Sequence, residues 1–397
     1  MSQRLGFALK SWVKEYGYQQ TMQRAYEGMD NGSISLNGMN LAGLANGLLG
    51  EDWAPKLQAY AGKSAERGFE ATEAVDPSVF SHIVGQLLIR EVQQAYDNPI
   101  FIGDKLFRTI PEPQTASILG KLKVPMISNI IDLPEVMQPE MEYPNTTVAE
   151  DWINLQPIVK YGRKLSLSLE AVMQDRTGQL RERAMNMGYY GRLVKEKNQL
   201  SLAFGLTNTF DWKDTTYNTY QTASPWINKI TGQSVTAAQF NIINNVEQLF
   251  ARMTDPYTNQ IIDIQPTALV CMPEAYYDFA NILHMTSVSV GQINTDPVRQ
   301  SHSPNPLETR YPIYASKIAR QILVASGVSA SNVQHYWLLG QFQKAFVYRE
   351  LLPWSVFEAP PLNPADFNQD IVMQVKVRHM GSPSVWNPRF TALSINS

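Results

Sequence analysis

Acidic side chains are concentrated between residues 132 and 151, and these are the residues that could do chemistry. Paired carboxylates serve as general acid and base in catalysis and also bind metal ions. A histidine close by, or the spacing of a calcium-binding loop, would favour such a site, and this stretch has neither. We therefore interpret it as the solvated or partner-facing tip of a loop. The acidic residues are Asp132, Glu135, Glu140, Glu142, Glu150 and Asp151.

The other reactive side chains form no catalytic or metal-binding motif. Five histidines are scattered, and the sequence has no H-E-x-x-H, G-x-S-x-G or G-x-G-x-x-G. Gly62-Lys63-Ser64 resembles the end of a phosphate-binding loop, but Leu57 stands where that loop needs glycine. Cys271 lies in an apolar run and is expected to be a small buried hydrophobe. The sequence therefore predicts no catalytic, cofactor-binding or metal-binding residues, no cofactor, and a protein that is not an enzyme. The histidines are His82, His284, His302, His335 and His379.

The composition favours a globular protein that makes extensive contact with other proteins. The 397 residues are 44% hydrophobic, which is enough for one large core or two to three modest ones. Charged residues make up only 17% and aromatic residues 10%, a balance that suits protein–protein contact. The formal charge of −3, from 33 basic and 36 acidic side chains, gives no whole-chain basis for nucleic-acid binding.

No segment of the sequence indicates export or a membrane span. No apolar run reaches 18 residues, and the N-terminal stretch Met1–Lys10 lacks the pattern of a signal peptide. A single cysteine supports neither a disulfide framework nor a zinc site. We therefore expect a protein that has no membrane partner and is assembled in a reducing cytoplasm.

The chain is predicted to be organised around a strand that leads into one long helix, the spine helix. Leucines alternate with serines over residues 165–169, which is the period of a half-buried strand. Over residues 178–204, apolar and small residues recur every three or four positions, predicting a helix about 40 Å long. Glycine destabilises a helix interior by about 1 kcal/mol. Gly188 and Gly191 therefore predict the close approach of another backbone.

A long β-hairpin arm is predicted before the spine helix. One strand covers residues 118–131 and the return strand covers residues 148–169, with a proline-rich acidic tip between them. A strand of some 14 residues reaches about 45 Å, so this arm cannot bury both of its faces within its own subunit. Basic residues near the base of the arm could meet a neighbouring copy of the chain. They are Lys121, Lys123, Lys160, Arg163 and Lys164.

The other regions are assigned from their periodicity and turn signals. Residues 1–75 are predicted to form two or three short helices whose exposed apolar stripes dock on a partner. A helix is expected to begin at residues 76–78, and residues 206–234 are expected to form a short β-structure with cross-strand aromatic pairs. Residues 235–345 alternate helix and strand, with a polar loop at 286–307. The last strands are expected to pack on the spine helix, and they cover residues 333–339, 344–350, 371–378 and 390–395.

Several passages along the chain carry a family resemblance. They are Val148-Ala-Glu-Asp-Trp-Ile-Asn-Leu155, Tyr161-Gly-Arg-Lys-Leu165, Glu170-Ala-Val-Met-Gln-Asp-Arg-Thr177, Gln265-Pro-Thr-Ala-Leu-Val-Cys-Met-Pro273, Gly340-Gln-Phe-Gln-Lys-Ala-Phe-Val-Tyr348 and the ending Phe367 to Arg389. In this order, together with the predicted elements, they resemble the major capsid proteins of tailed bacteriophages. This is the Hong Kong 97 phage fold, which encapsulins share. The resemblance covers residues 75–397.

The resemblance implies an α+β fold, the Hong Kong 97 phage-like capsid fold. It has an N-terminal arm, an extended β-hairpin loop, a long spine helix and an α/β axial domain. The implied division is an N-terminal arm at 1–75, a helix and lead-in of the peripheral domain at 76–117, the extended loop at 118–168, the spine helix and an insertion of the peripheral domain at 169–234, the axial domain at 235–345 and returning strands of the peripheral domain at 346–397.

The implied function is that of a major capsid protein. Its copies would self-assemble through hexamers and pentamers into the icosahedral head shell around the genome of a tailed phage. The implied partners are further copies of the chain, scaffold, portal and decoration proteins, and packaged double-stranded DNA held without sequence specificity at the inner wall. The protein would be assembled in the host cytoplasm and reside in the virion. Two alternatives are an encapsulin-type compartment shell and a cytoplasmic enzyme with an unrecognised acidic site.

Overall fold

The structure is a computed structural model in which helices and strands are both abundant. It describes residues 2–31, 34, 40–61, 77–112, 120–127, 150–175, 178–236, 241–255, 259–285, 287–291, 300–305, 307–359 and 371–396. The chain divides into two units. Unit 1 contains Met1–Pro99, Lys160–Val194 and Leu352–Met380, and unit 2 contains Ile100–Val159, Lys195–Leu351 and Gly381–Ser397.

The elements follow one another along the chain with short connections. The helices are α1 (Ser2–Asp30), α2 (Leu41–Leu49), α3 (Trp53–Ala61), α4 (Pro77–Tyr96), α5 (Gly103–Leu106), α6 (Leu169–Gln174), α7 (Gln179–Ala203), α8 (Asn241–Ala251), α9 (Tyr276–His284), α10 (Lys317–Ala325) and α11 (Phe342–Ala345). The strands are β1 (Arg108–Pro111), β2 (Leu122–Ile127), β3 (Glu150–Leu155), β4 (Val159–Ser168), β5 (Phe210–Trp212), β6 (Thr215–Tyr217), β7 (Lys229–Ile230), β8 (Ala268–Cys271), β9 (Ser287–Gly291), β10 (Gln300–Pro304), β11 (Ile313–Ala315), β12 (Trp337–Gly340), β13 (Phe346–Glu358), β14 (Ile371–Val385) and β15 (Thr391–Ser394). Among the described residues, no helix is both long enough and apolar enough to cross a membrane.

The N-terminal helices pack within unit 1. Helix α1 is broken at Gly17, whose φ of 76° is a left-handed conformation that glycine adopts without strain. Helices α1 and α2 meet where a Cβ on Gly6 would lie 2.8 Å from the Cα of Gly47. Leu44 and Leu48 of α2 are fully buried in a core shared with α4. The prediction of exposed apolar stripes is therefore wrong for the described part of this segment, because α4 supplies the apolar surface that the short helices lack.

Helices α4 and α7 confirm the predictions made for them. The described helix α4 begins at Pro77, and α7 covers Gln179–Ala203 against the predicted 178–204. The close approach expected at Gly188 is confirmed, because a Cβ there would overlap the carbonyl oxygen of Val92 on α4. At Gly191 the neighbour is a side chain, since a Cβ there would overlap the ring of Trp354. Glycines on α7 thus make room for a helix backbone and for an indole ring.

A four-stranded sheet has the order β1-β13-β14-β4. In unit 1, alternate residues of β14, Val375 and Val377, enter the same core as Leu167 of β4 and Leu87 of α4. This alternation is the period of a strand with one buried face. The sheet and α4 therefore enclose the core of unit 1.

Unit 2 is built around a five-stranded sheet in the order β11-β8-β12-β15-β7. Strand β12 is antiparallel to both β8 and β15, whereas β11 is parallel to β8. Every residue of β8 is buried, which confirms the buried strand predicted at 267–272. Trp337 of β12 packs on Phe279 of α9 with their ring centroids 5.0 Å apart. Helices α8 and α9 thus contribute to one core with the sheet.

Two expectations about these elements are wrong. The polar composition of residues 286–307 predicts a loop, but β9 and β10 pair there in antiparallel fashion, with Gln300 opposite Gly291. Alternating serine and valine in β9 is a strand period that the polar composition conceals. Strands β12 and β15 are expected to pack on the spine helix, but they pair with each other, with Trp337 opposite Ser394. Both strands are buried along their whole length, as the interior of a sheet requires.

Candidate functional site

The acidic residues singled out from the sequence lead to the base of the predicted hairpin. Asp151 lies in β3 with its side chain buried, and Glu150 begins the same strand. The base of the hairpin, and not its tip, is therefore the part whose geometry can be read. The acidic residues outside the described residues are Asp132, Glu135, Glu140 and Glu142.

The two strands of the hairpin base pair as predicted. Strands β2 and β3 are antiparallel, beginning with Leu122 opposite Leu155. Strand β3 also pairs with β5, and β5 with β6, so the hairpin base is half of a four-stranded sheet in the order β2-β3-β5-β6. The return strand predicted at 148–169 is divided into β3 and β4, which belong to different sheets. Pro157 lies between them, and proline cannot donate a ladder hydrogen bond.

Two buried carboxylates hold this sheet together. Asp151 accepts a hydrogen bond from the indole nitrogen of Trp212 at 2.6 Å. Asp211 on β5 forms an ion pair with Lys121 and accepts a hydrogen bond from the hydroxyl of Thr216 at 2.5 Å. A buried charge is costly unless it is paired and hydrogen-bonded. These carboxylates therefore stabilise the hairpin base and are not poised as a general acid and base.

Aromatic rings cover the same sheet, which confirms the cross-strand aromatic pairs predicted for residues 206–234. Phe210 lies opposite Tyr217, and the ring centroids of Trp212 and Tyr217 are 5.8 Å apart. Trp226 meets Phe210 edge to face at 5.3 Å. Trp226 is only 3% exposed, so its ring packs inside the protein and cannot stack on a nucleic-acid base.

The turn between β5 and β6 is tied to the hairpin. Lys213 and Asp214 have φ values of 49° and 61°, the left-handed pair that a two-residue hairpin turn uses. The side-chain amide of Asn154 on β3 donates a hydrogen bond to Asp214 at 2.9 Å. This hydrogen bond holds the pKa of Asp214 below its usual range. The charged form of Asp214 therefore fastens the turn to β3.

A buried arginine joins the chain segments that lead into and out of the hairpin. Arg349 on β13 is 1% exposed, and its Nε donates to the Glu112 carboxylate at 2.8 Å. Its Nη1 donates to the backbone carbonyl oxygen of Gln156 at 2.6 Å. The backbone N–H of Gln156 donates in turn to the hydroxyl of Ser384 at 3.0 Å. We call Arg349, Glu112 and Gln156 the hairpin anchor, which the sequence motifs do not mark.

The lead-in to the hairpin is fixed by a second set of buried charges, on the C-terminal half of α7. The fully buried Glu196 accepts hydrogen bonds from the backbone N–H groups of Ile102 and Gly103, both at 2.9 Å. Lys195 forms an ion pair with Asp104 at 3.1 Å. A Cβ at position 103 would overlap the side chain of Glu196, so this position needs glycine. The spine helix thus positions the segment that enters the hairpin.

A family model described as "Phage capsid protein" matches residues 156–394, which is more than half of the chain. The chain belongs to the phage capsid protein family. The family predicted from the sequence is confirmed, and this capsid protein is a structural, shell-forming protein of a phage particle. No curated protein matches its sequence.

Solved structures with low sequence identity resemble the capsid protein over about three quarters of its length. A structure of Gordonia phage Cozz has 10% identity and a TM-score of 0.42, covering 75% of this chain and 86% of that one. The mature capsid of bacteriophage PhiM1 has 11% identity and a TM-score of 0.44, covering 74% and 86%. The capsid of cyanophage Pam1 has 10% identity and a TM-score of 0.47, covering 74% and 88%. The mixed α+β class predicted from the sequence is the class observed.

The described histidine and cysteine side chains of the capsid protein do not gather into a reactive site. Cys271 is buried in β8, as predicted, and burial raises the pKa of its thiol to about 12. The Nδ1 of His335 accepts a hydrogen bond from the backbone N–H of Val235 at 3.0 Å. In the part of the chain that the structure describes, no three His, Cys, Asp or Glu residues are grouped as metal ligands. The histidine side chains outside this part are His82 and His302.

An open cleft of about 630 Å³ lies beside α8 in unit 2. Its carboxylate, Glu247, accepts a hydrogen bond from the hydroxyl of Tyr311 at 2.5 Å. The guanidinium of Arg310 lies 3.4 Å from the same carboxylate. Burial and the neighbouring carboxylate raise the pKa of Tyr311. The carboxylate of this cleft is therefore engaged in a polar network within the capsid protein.

Proposed function

We propose that this capsid protein is the major head protein of a tailed bacteriophage. Its copies self-assemble through hexamers and pentamers into the icosahedral shell that encloses the genome. The observation that carries this proposal is the family match over residues 156–394, which includes the whole spine helix together with Gln156 and Arg349 of the hairpin anchor. Closed symmetry repeats each modest interface many times, so a shell can be stable although each contact is weak.

The hairpin is proposed to act as an arm that lies over a neighbouring subunit. Its base is held by the buried contacts of Arg349, Asp151 and Asp211. A two-stranded hairpin alone is marginally stable in water, so the arm gains stability when a neighbour covers it. A fixed base also lowers the entropy that the arm loses on docking. The buried charges of unit 2 would thus aim the arm at the next subunit.

The proposed subdivision follows the division expected from the sequence, with one addition. The five-stranded sheet with α8, α9 and α10 supports an axial domain at 235–345 that meets its copies around the symmetry axes. Strand β15 is added to this domain because it pairs with β12. The remaining parts are the N-terminal arm at 1–75, the extended loop at 118–168, and the peripheral domain at 76–117, 169–234 and most of 346–397.

The proposed partners are those that a phage head requires. They are further copies of the chain, scaffold, portal and decoration proteins, and packaged double-stranded DNA. DNA contact at the inner wall would be non-specific and dependent on salt, because it rests on charge. The protein would be assembled in the host cytoplasm and retained in the virion capsid. As a shell subunit it would carry no catalytic site, cofactor or metal.

Electron microscopy of the purified, tag-free protein tests this proposal. Negative staining with parallel light scattering is expected to show shells, or hexameric and pentameric rings, with the unaltered chain. The measurement is made at several salt concentrations, with and without a scaffold protein expressed from the same phage genome. A monodisperse monomer or dimer under all of these conditions would contradict the proposed function.

A further inference from the structure

Positive side chains and one exposed ring share the outer face of the unit 1 sheet. In β14, Val375 and Val377 enter the core, so Lys376 and Arg378 face away from it. Phe357 on β13 is 38% exposed and lies between the two cations. The guanidinium carbon of Arg378 is 4.4 Å from its ring centroid, and the Nζ of Lys376 is 5.9 Å from it. This ring is therefore the apolar centre of a charged surface.

Strand β4 adds two lysines to this surface. Leu167 enters the core, so by the alternation of a strand Lys160 and Lys164 face outward, and both are exposed. Gly162 lies between them, next to β14, because a Cβ on it would lie 4.0 Å from the Cβ of Arg378. Outward residues of one strand are about 7 Å apart, which places the lysines on either side of Arg378. We call Lys160, Lys164, Lys376, Arg378 and Phe357 the cationic face.

The charge of the cationic face is not balanced by the residues around it. Within the described ranges, none of its four cations forms an ion pair. The Nε of Arg378 is buried without a hydrogen-bond partner. Like charges on neighbouring strands repel each other and destabilise the sheet. A partner that brings negative charge to this face would therefore bind and stabilise it.

We infer that the cationic face binds the acidic segment 132–142 of a second copy of the chain, an inference that rests on the proposed shell function. This segment has four carboxylates and no lysine or arginine, so its charge equals that of the cationic face with the opposite sign. It also contains Val136, Met137 and Met141, and a thioether packs favourably on an aromatic ring such as Phe357. A nucleic-acid backbone offers phosphates but no aliphatic side chain for this ring. The acidic segment therefore suits both parts of the face.

Charge reversal on each side tests the contact. The face variant is Lys164→Glu with Lys376→Glu, and the tip variant is Glu140→Lys with Glu142→Lys. Each variant alone is expected to lower the assembled fraction about tenfold at matched protein concentration, because like charges then meet. The four substitutions in one chain are expected to restore assembly. The matched control, with the same charge change at exposed positions of unit 1, is Lys14→Glu with Arg183→Glu, and it is expected to assemble as the unaltered chain does.

Co-assembly separates contact between copies from contact within one chain. A mixture of the face variant and the tip variant is expected to form shells that contain both, because each meets its opposite in the other. If the fourfold variant forms shells and the mixture does not, the contact lies within one chain and the inference is wrong. It is also wrong if the fourfold variant folds, as circular dichroism reports, but does not assemble. Normal shells from the face variant that retain less DNA would assign the face to nucleic acid. Absence of shells from the unaltered chain would overturn the proposed function itself and this inference with it.

Discussion

The N-terminal helices and the β-hairpin are two regions that the sequence predicts to reach out from the subunit, and they are held in different ways. In the N-terminal region, Leu44 and Leu48 are buried against α4 in an apolar core. At the hairpin base, the contacts of Arg349 and Asp151 are hydrogen bonds with charged groups. Apolar burial has no preferred direction, whereas charge-assisted hydrogen bonds fix distance and angle. A region that must only be covered can use the first, and a region that must be aimed needs the second.

Removal of the hairpin tip has the largest expected effect on the region that is aimed. Deletion of residues 132–145 is expected to abolish shell formation and leave the subunit folded, because the contacts described at the base lie outside the deletion. Electron microscopy measures assembly, and circular dichroism with urea unfolding measures folding. A Gly-Ser segment of equal length in place of the same residues is the control for chain length, and it is expected to fail in assembly as well. Unchanged shells from the deletion would refute the assigned role of the hairpin.

Loss of the hairpin anchor has the next largest effect, on stability. Arg349→Met is expected to lower the free energy of unfolding by about 4 kcal/mol, because it leaves the Glu112 carboxylate buried without its partner. Urea unfolding measures this change. The double variant Glu112→Gln with Arg349→Met removes the stranded charge and is expected to recover part of the loss. An equal loss in both variants would show that the charge of Glu112 is not what destabilises the protein.

A cavity in the N-terminal helices tests the region that is covered. Leu48→Ala is expected to lower the free energy of unfolding by about 3 kcal/mol, since the leucine is fully buried and its removal leaves a cavity. The same urea experiment measures it. Phe7→Ala is the control in the same region, because Phe7 is 52% exposed, and its expected effect is within about 0.5 kcal/mol. Small and equal effects of the two substitutions would mean that these helices do not pack on the core.

The smallest expected effect concerns the pH dependence of the hairpin turn. The Asn154 hydrogen bond lowers the pKa of folded Asp214, so ionised Asp214 stabilises the protein above the unfolded pKa, about 4. This stabilisation is lost as the pH falls through the folded pKa. The urea midpoint of the unaltered chain is therefore expected to exceed that of Asp214→Asn slightly at neutral pH, and the difference is expected to vanish in acid. Glu308→Gln serves as an exposed control, and a difference that persists in acid would disprove the ionic origin.

Elements whose pattern lies within a few residues could be predicted from the sequence. The bounds of α7, Gln179–Ala203, follow from a period of three to four residues, and those of β8 from a short apolar run. The aromatic pairing of Trp212 with Tyr217 follows from rings placed on both sides of a tight turn. In each case one turn or one strand contains all the information. Strand β9 shows the limit, because its alternation is present but its serines resemble a loop.

The hairpin anchor could not be predicted because its partners are far apart along the chain. Arg349 and Glu112 are 237 positions apart, and neither has a motif around it. The one local signal is a charged residue directly after the apolar run Phe346–Tyr348, in a strand where a buried charge requires a partner. The N-terminal helices show a related limit, since an apolar stripe predicts burial but does not identify the covering surface.

The distance between the anchor residues along the chain also orders events during synthesis. Arg349 is made 237 residues after Glu112 and 193 residues after Gln156. At about 5 to 20 residues per second, the entry to the hairpin leaves the ribosome roughly 10 to 50 s before the arginine that will aim it. A growing chain therefore has both strands of the arm without the residue that sets their direction. Finished chains, and not chains still on the ribosome, are the ones equipped to join a shell.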